Sequence, residues 1–166
     1  GNWSTPATWG GATISATDGV TITAGTTVNV NVNTRITALT VEPGATLVIP
    51  AGVSLDVSEH FVNHGSVQLT RPVNNAMVDF HIGDDSRGII RYRMASISTS
   101  NNLGNVTVSV RALHAGENCA SGAGSSYARR CFEITPANNL AATLYLWAFE
   151  TEMNSITAPQ IYRYVN

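Results

Sequence analysis

Three heptapeptides decide how this chain folds: Ile22-Thr23-Ala24-Gly25-Thr26-Thr27-Val28, Val41-Glu42-Pro43-Gly44-Ala45-Thr46-Leu47 and Ile49-Pro50-Ala51-Gly52-Val53-Ser54-Leu55. Each reads aliphatic-x-x-Gly-x-x-aliphatic, two strand ends joined by a corner. A looser copy, Val62-Asn63-His64-Gly65-Ser66-Val67, follows. Gly25, Gly44 and Gly65 recur about every 20 residues, the length of one coil of a solenoid. A coil cannot bury its apolar face alone. It stacks on a neighbour, and its end stays open unless something covers it. Only two or three such coils fit here, fewer than a stable array usually needs. Gly25, Gly44 and Gly52 mark the corners, where a positive φ suits glycine.

Outward from the repeat, Val28, Val30 and Val32 alternate with Asn29, Asn31 and Asn33, so one face is buried and one is wet. The regularly spaced asparagines are expected to stack as amide ladders between coils. Strands are expected at 20–24, 26–32, 36–42, 46–49, 53–58 and 66–70. Arg71-Pro72-Val73-Asn74-Asn75 reads as a joint, dividing a short solenoid at 1–71 from a second region at 72–166. There the strands lengthen: 77–82, 89–98, 105–113, 131–136, 143–150 and 160–165. Six strands at this spacing, separated by turn signals such as Gly83-Asp84-Asp85, predict an antiparallel β-sandwich. Val106, Val108 and Val110 are its inward residues. The 143–150 strand is apolar on both faces, so it is central or covered by a partner. Only Ala137 to Ala142 suggests a helical turn. The fold class is all-β.

Charged residues make up 12% of the 166 residues and the net charge is -2. No basic patch exists to neutralise phosphates, so nucleic acid is not an expected partner. Weak mutual repulsion suits a protein that associates with itself. All nine cations are arginine, which excludes lysine isopeptides and lysine nucleophiles. Cys119 and Cys131 flank a Gly/Ser-rich stretch and read as a disulfide, which favours an extracellular setting. No apolar run is long enough to cross a membrane as a helix. The chain opens on Gly-Asn-Trp-Ser; a secreted protein starting so is a mature form without its signal peptide. Asn2-Trp3-Ser4 and Asn105-Val106-Thr107 match the N-glycosylation acceptor pattern.

The opening Trp3-Ser-Thr-Pro-Ala-Thr-Trp9-Gly-Gly, then Asp18-Gly-Val-Thr-Ile-x-Ala-Gly25 and Leu39-x-Val41-x-x-Gly-Ala-Thr-Leu47, resembles the start of bacterial secreted β-helix and adhesin-type surface proteins. The resemblance covers residues 1–70 and implies coil architecture and an extracellular setting rather than a reaction. The second half is similar to β-sandwich modules of large bacterial surface proteins, through Asn105-Val-Thr-Val-x-Val110, Arg130-Cys131-Phe-x-Ile-x-Pro136 and Ala142-Thr-Leu-x-Leu146.

Candidate chemistry is sparse. His60 and His64 have helical ligand spacing but sit in a strand-and-turn stretch, too far apart for one ion. Asp79, His81, Asp84 and Asp85 form an acidic turn with too few oxygens for a firm calcium site. Asp56 and Glu59 lack partner acids one coil away, so lyase chemistry is not supported, and no nucleophile–base pair stands out. Arg129-Arg130 reads either as a grip for an acidic glycan or as a solvated loop tip pairing with Glu133 or Glu117. Tyr145, Trp147 and Phe149 share one strand face, with Tyr162 and Tyr164 further on. They read as a sugar platform, as core, or as a subunit contact. Trp3 and Trp9 read as an end cap for the first coil. No catalytic residue, metal or cofactor is expected. The expected protein is a non-enzymatic, extracellular, self-assembling subunit of a surface filament. A glycan-binding or adhesive module is the alternative.

Overall fold

The computed structural model describes residues 1–82, 95–114, 119 and 130–147. The described chain is all-β, and its one helical element is a 3-10 turn at Pro6–Trp9. Six strands come first: β1 Gly19–Ile22, β2 Thr27–Asn29, β3 Thr34–Val41, β4 Thr46–Ile49, β5 Leu55–Asn63 and β6 Ser66–Asn74. They build two parallel stacks, β1-β3-β5 and β2-β4-β6. In the first, Val20 pairs with Leu39 and Leu39 with Phe61. In the second, Val28 pairs with Leu47 and Leu47 with Val67. The repeat phrase explains this register, because each pass of about 20 residues returns an aliphatic residue to the same row. Gly25, Gly44 and Gly52 have φ of 74°, 76° and 80°, as the corner reading requires.

Gly65 serves differently. Its φ is not positive. A Cβ there would overlap Glu42 O and stand 2.5 Å from Ala45 O. Gly65 therefore exists for close backbone approach rather than for a turn. Beside it, Asn63 is fully buried, donates to Val110 O at 3.1 Å and accepts from Gly65 N at 3.0 Å.

The second stack does not stop at β6. The expected joint at Arg71 to Asn75 is instead mostly strand: β6 runs on to Asn74 and pairs antiparallel with β9, Asn102–Ala112. The division placed at residues 71 and 72 thus falls inside one strand. Beyond β9 lies β10, Arg130–Pro136, giving a five-stranded sheet β10-β9-β6-β4-β2. A three-stranded antiparallel sheet joins β7 Met77–Phe80, β8 Ala95–Ser98 and β11 Thr143–Leu146, in the order β11-β8-β7. One apolar cluster runs from Val20 and Leu39 through Val28, Leu47 and Val67 to Val106, Val108, Val110, Phe80 and Ile97. The inward triplet Val106, Val108 and Val110 is fully buried.

Three local expectations are corrected. Ala137 to Ala142 is irregular, and the helical turn lies at Pro6, where proline suits a first helical position. Val28 and Val30 are buried but Val32 is 40% exposed: β2 ends at Asn29 and the alternation persists only to Val30. The asparagines form no ladder among the described residues. Asn31 Oδ1 accepts from Ser4 N at 3.0 Å, and Asn33 Oδ1 from Ser54 N at 3.0 Å. Each amide thus satisfies a backbone donor of an adjoining pass, which a corner leaves free.

The first end of the β2 stack is covered by the chain itself. Trp3 N donates to Asn29 O at 2.8 Å, and Asn29 N donates to Gly1 O at 2.9 Å. Trp3 is 3% exposed and belongs to the core, with Trp9 packed edge-on at 5.1 Å. Trp9 Nε1 donates to Trp3 O at 2.7 Å. The tryptophans close this end, as expected.

Candidate functional site

The residues that stand out are on β11. The strand was expected to be central or covered. Among the described residues it pairs only with β8 and lies at the sheet edge, which speaks against the central reading and leaves cover by a partner open. Neighbouring residues on a strand point to opposite faces, yet both Leu144 (40%) and Tyr145 (45%) are exposed. Leu140, just before the strand, and Met77, on β7, are also exposed.

Register shows which residues share a face with Tyr145. Tyr145 pairs with Ser96, and Ser96 with Asp79; Thr143 pairs with Ser98, and Ser98 with Met77. Ser96 is fully buried and donates to Asp79 Oδ1. The Tyr145 and Trp147 rings lie 6.2 Å apart at 25°, a near-parallel pair. Two of the three aromatics expected to share a platform are therefore together. Phe149, Tyr162 and Tyr164 lie outside the described residues. Asp79, expected in an acidic turn, is on this sheet; Asp84 and Asp85 lie outside the described residues.

The other candidates separate. Cys119 and Cys131 form the expected disulfide. Asn2 and Asn105 are exposed; the Thr107 hydroxyl of the second acceptor pattern meets Thr70 Oγ1 at 2.8 Å. His60 and His64 are exposed, and no group of three His, Cys, Asp or Glu able to hold a metal occurs among the described residues. Asp56 meets Arg35 at 3.6 Å, with both side chains more than half exposed, so the pair contributes little. Arg130 is not a solvated tip. It is buried and donates to Asn63 O at 2.8 Å. Arg129 lies outside the described residues. On β6, Arg71 donates to Val53 O and Thr70 O at 3.2 Å, and burial lowers its pKa from the ordinary value. Sequence reasoning missed Ser96, Met77 and Asn63, because their roles follow from pairings between distant segments.

No helix among the described residues is long and apolar enough to cross a membrane. Compared with known proteins, the chain matches no family model, no curated protein and no solved structure.

Proposed function

We propose that this chain is a non-enzymatic extracellular structural protein, a subunit that assembles with its own copies into a surface filament or similar polymer. In this reading the two parallel stacks are a short β-solenoid, and the antiparallel strands after them form a sandwich-like region. The observation that carries the proposal is β11, at the sheet edge among the described residues: an edge strand with exposed apolar side chains on both faces is a template for another chain. Leu140 and Met77 enlarge the apolar area. Low charge keeps repulsion between copies weak, and the disulfide supports an oxidising setting. The β5 edge is a poorer contact. It carries exposed Asp56, Glu59 and His60 and an extra residue opposite Ile36 to Ala38, devices that discourage pairing.

The test is light scattering and negative-stain microscopy of the purified protein beside a Leu144→Arg/Tyr145→Glu variant. Fibres or a mass series that the variant reduces to monomer, at little changed stability, support the proposal. A native protein that stays monomeric over a wide concentration range sinks it.

A second reading, a glycan-binding or adhesive module, is favoured by the Tyr145–Trp147 pair beside the Asp79–Ser96 hydrogen bond. It requires an oligosaccharide to perturb Trp147 in the monomer.

A further inference from the structure

The covered end of the β2 stack holds a cavity of about 200 Å³ whose lining includes Trp3, Trp9, Ser4, Thr13, Val32 and Thr34. Drug-sized ligands occupy roughly 300 Å³ and upward, so this volume suits one small ring. No charged side chain lines it, so the occupant is neutral. The lining combines two tryptophans with three hydroxyl-bearing residues, Ser4, Thr13 and Thr34. Trp9 has its N–H satisfied by Trp3 O. Trp3 does not: its Nε1 is buried and makes no hydrogen bond. A buried donor of this kind is costly and calls for an acceptor. The wall from Ala12 to Ile14 has no regular structure and follows Gly10 and Gly11, both at positive φ. Because the indole nitrogen has almost no accessible surface, a ligand oxygen reaches it only where the lining gives way.

We propose that this cavity binds a single neutral pyranose residue. The apolar C–H face of the ring lies against Trp9. One of its oxygens accepts from Trp3 Nε1–H, and the Ser4, Thr13 and Thr34 hydroxyls serve the remaining polar edge. An aromatic wall with a few placed polar groups is the ordinary chemistry for such a ring. The site does not depend on assembly through β11, and it is separate from the Tyr145–Trp147 face.

The chain has three tryptophans, so a ¹⁵N-labelled sample gives up to three indole N–H resonances, assigned with Trp9→Phe and Trp147→Phe. Glucose, galactose, mannose and N-acetylglucosamine are titrated separately. The expected result is a saturable shift of the Trp3 resonance with at least one sugar, with affinity of roughly millimolar order for a single ring. Thr34→Val should weaken that affinity severalfold while thermal unfolding is unchanged. A Trp3 resonance that none of the four sugars moves overturns the proposal. Movement of Trp147 alone overturns it too and supports the glycan reading of β11. A Trp3 shift that follows protein concentration without sugar would place a second copy in the cavity and likewise overturn it.

Discussion

Gly65→Ala is expected to destabilise the fold more than Gly25→Ala, although only Gly25 has a left-handed backbone. At Gly25, φ is 74° and an added Cβ would meet nothing within 4 Å. The cost there is conformational, about 1–2 kcal/mol. At Gly65 the added Cβ would overlap Glu42 O, stand 2.5 Å from Ala45 O and 3.0 Å from Val41 Cγ1. Two of these atoms are backbone and cannot swing aside. Ala45 O accepts from Ser66 N at 2.9 Å, His64 N donates to Val41 O at 2.8 Å, and Gly65 O accepts from Ala112 N at 2.9 Å. Moving the corner to relieve the overlap strains these bonds together. Overpacking costs about 1–3 kcal/mol, and a buried hydrogen bond lost with it about 1–3 kcal/mol more. The total is about 2–6 kcal/mol. Urea unfolding with the disulfide intact reads both variants on one scale, provided the slope is unchanged. If Gly65→Ala costs no more than Gly25→Ala, the close-approach argument is wrong.

Two further outcomes follow from the same corner and from the crosslink. Asn63→Leu keeps the branching at Cγ but leaves the buried Gly65 N–H without its acceptor, so a loss of at least about 1–3 kcal/mol is expected in the same assay; a neutral result would mean that the corner relaxes. Replacing Cys119 and Cys131 by serine opens a bridge spanning 12 residues and should cost about 3 kcal/mol, seen as a lower urea midpoint that reducing agent also produces in the parent protein.

The parallel stacks were legible because a corner glycine and its flanking aliphatics recur at fixed spacing, a local signal repeated until it becomes unambiguous. Positive φ at Gly25, Gly44 and Gly52 follows from the same phrase. The inward Val106, Val108 and Val110 were legible from alternation alone. What failed had a non-local cause. Arg71-Pro72 looks like a break, since proline removes a ladder donor. Yet Pro72 sits opposite Asn105 in the β6–β9 pairing, and the strand continues through it. The asparagines at 29, 31 and 33 look like ladder residues, but two of them meet backbone donors of adjoining passes, which periodicity does not encode. At the candidate site, Tyr145 and Trp147 were legible as one strand face. The sequence leaves the exposure of Tyr145 open, because apolar residues on both faces suit a central strand as well as one covered by a partner. Ser96 and Asp79 joined them only through the register of β8.

The ends of the stacks bear on where any assembly contact lies. A short solenoid with bare ends has reason to polymerise through them, since its end rows would otherwise stay wet. Here Gly1 to Trp3 runs along the outer edge of β2 and buries an indole there. At the far end β6 is parallel to β4 on one side and antiparallel to β9 on the other. The reversal ends the parallel repeat without leaving that edge unpaired, so the second stack is closed at both ends by its own chain. In the first stack β1 and β5 are both edges among the described residues, and the charges and extra residue of β5 oppose pairing there. The covered second stack and the guarded β5 edge therefore weaken the case for copies meeting end to end there. The case for assembly rests on β11, where exposed apolar side chains coincide with a strand that is at the sheet edge among the described residues.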